Sequence, residues 1–181
     1  VGASRDGVVL KPSEDGPSAS VCDFALAIAA DNVAVSNMTL TCGGVGLYLP
    51  NWQFVKNAHV ENVSMSGNRH GYWCCSEGDY QSARTGTYFN RLSHCVIRDN
   101  TGYGALFRFA TRVDNTLVAD NGSAGVYVDG WNCNEEANSW AKCGISLVNV
   151  TMTGNTYGYC QTATSYSSYQ YFANCIFEGN S

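Results

Sequence analysis

The segment Val60-Glu-Asn-Val-Ser-Met65 decides the fold of this chain, because similar segments recur along its length. They read Val35-Ser-Asn-Met-Thr-Leu40, Leu92-Ser-His-Cys-Val-Ile97, Val113-Asp-Asn-Thr-Leu-Val118, Leu147-Val-Asn-Val-Thr-Met152 and Phe172-Ala-Asn-Cys-Ile-Phe177. Each of the first five blocks is followed by a glycine that opens a short apolar segment, at Gly46, Gly71, Gly104, Gly125 and Gly158. Repetition at intervals of about 20–35 residues is typical of proteins built from stacked repeats.

Three positions of each block are almost always apolar: the second before the central residue, and the first and third after it. Inward side chains of a straight strand share one parity, because successive side chains point to opposite faces. The parity changes at the central residue, so the chain must bend there, at a corner between two strands. Asparagine, the usual residue at this corner, tolerates the left-handed backbone that a sharp corner needs. Each repeat is therefore predicted to hold two strands joined at a corner and a third, glycine-led strand.

A second turn residue, Asn or Gly, follows six residues after each corner. The repeat as a whole closely resembles that of the pectate-lyase-like proteins. The resemblance covers residues 24–181 and implies an all-β fold, a right-handed single-stranded parallel β-helix solenoid of about six to seven coils. Residues 1–23 would form a lead-in coil. The resemblance also implies an internal ladder of stacked corner asparagines, interrupted at His94. The alternative, a β-sandwich, does not explain matched residues in every repeat.

Two repeats are longer than the others. The repeat glycines at 46, 71, 104, 125 and 158 are separated by 25, 33, 21 and 33 residues, so two repeats carry insertions, at about 75–90 and 130–144. Both insertions leave the same corner, and the short repeat between them would form the floor of a notch. Stacked-repeat proteins place binding surfaces where such insertions project.

Aromatic residues follow the outer face of the glycine-led strands. Tyr48, Trp73 and Tyr127 share one repeat position, and Trp131 and Trp140 lie in the second insertion. Sugar rings stack their apolar faces on such side chains, so these five residues form a candidate carbohydrate-binding platform. The alternative is that exposed aromatic residues only cover strand edges and loop bases.

Arg108 and Asp129 are the candidate catalytic residues, because they share a repeat position in neighbouring repeats. They could act as a base or hold a substrate carboxylate, whereas the alternative is a cross-strand ion pair. A single acid is insufficient for glycoside hydrolysis, which usually needs two facing carboxylates. The signatures of the polygalacturonase and pectate lyase groups are missing from the sequence. We predict no cofactor and no metal site, with Ca²⁺ on acids of the two insertions as the alternative.

Nine cysteines and four Asn-x-Ser/Thr sequons favour an oxidising, extracellular location. Cys133 and Cys143 bracket the second insertion and form the predicted disulfide. Cys95 and Cys175 share an inward position three repeats apart, too far for a bridge, and are predicted to be buried thiols.

Asn121 is the preferred glycosylation site among the four sequons. Asn37, Asn62 and Asn149 are less favoured, because corner amides that bond the backbone inside the solenoid cannot carry glycans.

The functional prediction is a secreted, glycosylated, non-catalytic β-helix with a structural or adhesive role that stacks end to end, as in an extracellular fibril. The sequence shows no capping helix at either end, and open ends of a β-solenoid favour association. The alternatives are a polysaccharide-active enzyme (lyase, hydrolase or epimerase) and a carbohydrate-binding module, both using the notch. The net charge of −5 argues against a nucleic-acid partner, and no apolar run is long enough to span a membrane.

Overall fold

The computed structural model describes residues 8–11, 23–50, 55, 57–74, 90–107, 111–129, 145–162 and 170–181. Over these ranges the regular secondary structure is all β, and every strand pair is parallel. The strands in chain order are β1 Val9–Leu10, β2 Phe24–Ala27, β3 Ala34–Leu40, β4 Val45–Leu49, β5 His59–Ser66, β6 His70–Cys74, β7 Asn90–Ser93, β8 Val96–Arg98 and β9 Ala105–Phe107. They continue with β10 Thr111–Asp114, β11 Leu117–Ala119, β12 Ala124–Val128, β13 Ile145–Val148, β14 Thr151–Thr153, β15 Tyr157–Gln161, β16 Gln170–Ala173 and β17 Ile176–Glu178.

The strands form two sheets that alternate along the chain. The first sheet has 11 strands and contains both strands of every corner block, which merge into one continuous strand in β3 and β5. The second sheet has six strands, in the order β15-β12-β9-β6-β4-β2, and contains the glycine-led strands. Each strand pairs with the equivalent strand of the neighbouring repeat, so the chain returns to the same place at every repeat.

The inward columns predicted from the repeat are confirmed by the strand register. Val60 pairs with Leu92, Leu92 pairs with Val113, and Val113 pairs with Leu147. These four side chains are at most 1% exposed. The core is thus a set of apolar columns, and the fold is an all-β, solenoid-like arrangement of parallel strands.

The predicted corners are also confirmed. All six corner residues have a left-handed backbone, with φ between 49° and 57°: Asn37, Asn62, His94, Asn115, Asn149 and Asn174. A second left-handed column lies five residues later, at Cys42, Gly67, Asp99, Asp120, Gly154 and Gly179. His94 adopts the same backbone as its asparagine neighbours, so the corner does not require an amide.

The predicted internal ladder of corner asparagines is wrong. The corner amides point outward and pair with one another there, as in the Asn62 Nδ2 to Asn37 Oδ1 bond of 2.7 Å. The buried ladder is formed by the second turn residue of each repeat: Asn68, Asn100, Asn121, Asn155 and Asn180. It runs without a break, because His94 belongs to the outer column.

The buried ladder explains the repeat glycine. A Cβ on Gly104 would lie 2.5 Å from the Gly125 carbonyl oxygen and 2.8 Å from the Asn121 amide nitrogen. A Cβ on Gly71 would meet the equivalent atoms of Gly104 and Asn100 at 2.6 and 2.9 Å. The glycine-led strand can approach the ladder only without a side chain at this position.

The two predicted insertions fall almost wholly outside the described residues, which resume at Asn90 and at Ile145. Asn90 was assigned to the first insertion, yet it is the first residue of β7 and is buried. Its Oδ1 accepts a hydrogen bond from the Ala58 backbone N–H at 3.0 Å. The last residue of the predicted first insertion is thus part of β7, and the bounds of the insertion stay a prediction.

Candidate functional site

An aromatic band runs across the outer face of the second sheet. We use this name for Phe24, Tyr48, Trp73, His70, Tyr103 and Tyr127, whose rings contact one another in that order. Ring centroids are 5.5 Å apart for Phe24 and Tyr48, 6.4 Å for Tyr48 and Trp73, and 5.1 Å for Trp73 and His70. Separations of this size are favourable for aromatic pairs. The band thus ties several repeats together along the solenoid.

Tyr103 stacks on two other rings of the band. It is stacked on His70 at 5.3 Å and on Tyr127 at 4.6 Å, with interplanar angles of 18° and 24°. Burial raises the pKa of the Tyr103 phenol, with smaller contributions from Tyr127, Cys160 and Asp129. Because its faces are used by these neighbours, Tyr103 stabilises the band and is poorly placed to stack a sugar.

His70 is held in its neutral form. Its Nδ1 accepts a hydrogen bond from the Tyr103 backbone N–H at 3.0 Å, so the remaining ring proton is on Nε2. Burial, with a smaller contribution from Arg69, lowers the pKa of His70 from 6.5 to about 4. His70 is therefore a structural acceptor at neutral pH.

The platform residues Tyr48, Trp73 and Tyr127 lie in one register column together with Leu106, as the repeat indicates. All three are partly exposed, whereas Leu106 is buried. The other two platform residues, Trp131 and Trp140, lie outside the described residues. The carbohydrate platform stays a prediction, of which the structure brings three members together.

Asp129 follows β12 directly, and its backbone N–H donates to the Phe107 carbonyl at 2.9 Å. Arg108, its predicted partner, lies outside the described residues, so their pairing stays a prediction. The acids proposed for Ca²⁺ also lie outside them. Within the described ranges, no group of three or more His, Cys, Asp or Glu side chains is placed to hold a metal ion.

A charged cluster on the outer face of the first sheet was missed by the sequence analysis. Arg91 in β7 and Arg112 in β10 are paired in register, and both contact the carboxylate of Asp114. Arg91 donates from Nε to Oδ2 at 2.8 Å and from Nη2 to Oδ1 at 2.9 Å, and Arg112 Nε donates to Oδ2 at 3.3 Å. We call these three residues the arginine cluster.

The Asp114 carboxylate is buried and saturated with donors. Its side chain is 3% exposed, against 44% for Arg91 and 51% for Arg112. A fourth hydrogen bond comes from Asn115 Nδ2 at 3.3 Å. The hydrogen bonds from Arg91 hold the pKa of Asp114 below its ordinary value despite burial, and the same contact raises the pKa of Arg91. A buried acid thus fixes two half-exposed guanidinium groups in neighbouring repeats.

The four sequon asparagines differ in exposure, and glycosylation at any of them stays a prediction. Asn121, the preferred site, is 2% exposed, and its Nδ2 donates to the Ile97 carbonyl at 3.2 Å and to Asn155 Oδ1 at 2.8 Å. A glycan on that nitrogen would break the buried ladder. Asn37 and Asn62 are partly exposed and Asn149 is exposed, and Asn149 Nδ2 donates at the surface to Asn115 Oδ1 at 3.0 Å.

Five described cysteines are not in disulfides: Cys42, Cys74, Cys95, Cys160 and Cys175. The prediction that Cys95 and Cys175 form no bridge agrees with this, and Cys95 is buried whereas Cys175 is only partly buried. The predicted Cys133–Cys143 disulfide lies outside the described residues.

The described part of the chain has no helix of a length and hydropathy that could cross a membrane. The described residues thus form an all-β solenoid-like protein with an aromatic band on one sheet and an arginine cluster on the other. Comparison with protein families, curated proteins and solved structures finds no match to this chain.

Proposed function

We propose that this chain is a structural or adhesive subunit, a right-handed parallel β-helix of about six to seven coils that associates end to end. The observation that supports it is the exposure of two phenylalanines in β16 and β17. Phe172 and Phe177 occupy inward columns, yet they are 40% and 47% exposed. In the column of Phe177, all residues from Leu40 to Met152 are completely buried.

A second copy is the proposed cover for this surface. The Phe177 column begins at Leu10 of β1, which pairs with Leu40 and is itself only partly buried. Val9, beside it, is 55% exposed. Head-to-tail association would bring Leu10 of one copy onto Phe177 of the next and extend the same apolar column. Uncovered parallel strand edges favour such pairing.

Phe177→Gln tests this association. Sedimentation velocity and negative-stain images of the unmodified chain are expected to show rods of several copies, and Phe177→Gln is expected to shorten them to monomers. Ile176→Gln is the matched control, because Ile176 lies on the same strand but faces outward, and it should leave the rods intact. A monomeric unmodified chain at high micromolar concentration would contradict the proposal.

Secretion and glycosylation belong to the same proposal. The exposed Asn149 supports glycosylation at that sequon better than at Asn121. In a eukaryotic secretory host, Asn149→Gln should remove a mass that a peptide-N-glycosidase also removes, and Asn121→Gln should not. Loss of the glycan in Asn121→Gln alone would show that the sugar is added before the ladder forms.

Carbohydrate binding is the second candidate, supported by the partly exposed column of Tyr48, Trp73 and Tyr127. Affinity electrophoresis in gels with soluble xylan or β-glucan should show retardation that Trp73→Ala abolishes. Tyr157→Ala, an exposed aromatic outside the band, is the control. If acidic polysaccharide is also cleaved, and Asp129→Asn or Arg108→Ala stops cleavage, the polysaccharide-active alternative replaces simple binding. No retardation on either gel would leave the candidate without support.

A further inference from the structure

We propose that the arginine cluster is a binding site for an oxyanion, a sulfate or carboxylate group carried by a polysaccharide or free in solution. This inference is independent of end-to-end association, because it concerns the lateral face of the first sheet. The site consists of the guanidinium groups of Arg91 and Arg112 with Asp114 beneath them.

The donors of the cluster exceed the acceptors that the fold supplies. Two guanidinium groups carry five N–H donors each, about ten in total. Three of these donors bond the Asp114 carboxylate: the Nε and Nη2 groups of Arg91 and the Nε of Arg112. The outer nitrogens of two half-exposed side chains therefore remain to meet a ligand, and planar guanidinium groups bond sulfate and carboxylate oxygens in pairs.

Asp114 keeps both guanidinium groups in place before a ligand arrives. Its buried carboxylate holds Arg91 through two bonds, which restrict the rotation of that side chain. The register pairing of Arg91 with Arg112 places their backbones one strand apart, about 4.8 Å, and both Nε groups contact Asp114 Oδ2. Preorganised groups lose less conformational entropy on binding, so a pre-set pair binds an anion more tightly than two mobile side chains.

The three residues of the cluster carry a positive charge, which Glu61 beside them partly offsets. Two guanidinium groups and one carboxylate leave a net charge of +1, whereas the chain as a whole carries −5. Binding of an anionic polymer to this chain therefore needs a local cationic site. Glu61 lies beside the cluster, contributes to the raised pKa of Arg91, and opposes an anion at the same place. Its exposed side chain also lies 3.9 Å from His94 Nδ1.

Three probes that share a dextran backbone and differ in the attached group distinguish the possible ligands. They are dextran sulfate, carboxymethyl dextran and neutral dextran. Their affinities would be measured by biolayer interferometry at low salt, with inorganic sulfate as the competitor. We expect binding to at least one of the two anionic dextrans and none to neutral dextran. Preference between the anionic polymers identifies sulfate or carboxylate, and efficient competition by inorganic sulfate identifies a free ion as sufficient.

Arg112→Gln is the decisive variant, because it removes one guanidinium group and leaves the Arg91–Asp114 bonds in place. It should weaken binding about tenfold or more, the effect of losing a charge-assisted hydrogen bond. Arg98→Gln is the matched control: Arg98 is also about half exposed (56%), and its loss changes the net charge by the same amount. Glu61→Gln should strengthen binding several-fold. Equal weakening by Arg112→Gln and Arg98→Gln, or no binding to either anionic dextran, would overturn the inference.

Discussion

At the scale of the residue, asparagine has two different uses in this chain. The outer asparagines make the left-handed corners and pair at the surface, and the inner ones form a buried ladder that bonds the backbone of neighbouring repeats. Asn121 Oδ1 accepts from the Asn100 backbone N–H at 3.3 Å and from Asn100 Nδ2 at 2.9 Å, while its own Nδ2 donates twice. A buried amide network of this kind is stabilising only when every member is satisfied.

Removing one member of the ladder should therefore destabilise the chain strongly. We expect Asn121→Ala to lower the free energy of unfolding by about 3 kcal/mol or more, since it leaves several buried donors and acceptors without partners. The measurement is chemical denaturation followed by circular dichroism. Asn115→Gly is the control: it removes an outer amide but keeps the left-handed corner, and should change stability by less than about 1 kcal/mol. Similar losses in both variants would show that the inner ladder has no special role.

The sequence could not distinguish these two uses, because a left-handed corner does not fix the direction of its amide. One signal was present in the sequence. His94 replaces an asparagine in the corner column, and an imidazole does not fit a continuous amide ladder. The column that tolerates histidine is therefore the outer one, and the second turn column, with only asparagine or glycine, is the inner one.

His70 makes the stability of the chain depend on pH. Its pKa in the folded chain is lowered to about 4, so the unfolded chain binds its proton first. The sign follows: stability is complete above about pH 6.5 and falls as the pH decreases toward 4. Partial screening by solvent limits the loss to about 2 kcal/mol.

Denaturation curves between pH 7.5 and 4 test this dependence. His70→Asn is the comparison, because an asparagine Oδ1 can accept the Tyr103 N–H bond without titrating. The variant should lose less stability than the unmodified chain over this range, even if it is less stable at pH 7.5. Parallel pH profiles for the two proteins would contradict a role for His70 protonation.

At the scale of the element, the repeat predicted the strands well wherever the alternation of inward and outward side chains determines which residues are buried. Columns such as Val60, Leu92 and Val113 could be read because inward and outward residues alternate, and the change of parity located the corner. The aromatic band was only partly predictable. His70 and Tyr103 share a column with Val45 and Ala124, so no repeated residue type marks it, and their contacts arise from packing between neighbouring repeats.

The close approach of the glycine-led strand to the ladder predicts that a side chain at its glycine is destabilising. Gly104→Ala should lower the free energy of unfolding by about 1–3 kcal/mol, because its Cβ would press on the Gly125 carbonyl and the Asn121 amide. Both neighbours belong to the stack itself and cannot move without disturbing the next repeat. Thermal denaturation provides the measurement. An unchanged melting temperature would mean that the strand and the ladder do not approach as described.

At the scale of the whole molecule, sequence periodicity specifies the stack because every repeat must place its apolar residues over those of its neighbour. It does not specify the surface chemistry to the same degree. The arginine cluster depends on Arg91, Arg112 and Asp114, which are not repeated elsewhere in their columns. Arg91 and Arg112 stand three residues before the corner in neighbouring repeats, so their pairing could be read from the sequence. The burial of the Asp114 carboxylate between them could not, because it depends on side-chain packing.

The most direct test of the stack is a methyl–methyl NOE spectrum of the chain labelled at valine and leucine methyl groups, recorded on Phe177→Gln to keep it monomeric. Leu92 is predicted to show cross-peaks to Val60 and to Val113, and Val113 to Leu147. Val60 should show none to Leu147, which lies three strands away, about 14 Å. Absence of the Leu92 cross-peaks in a folded sample, or a direct Val60–Leu147 contact, would contradict the stacked arrangement.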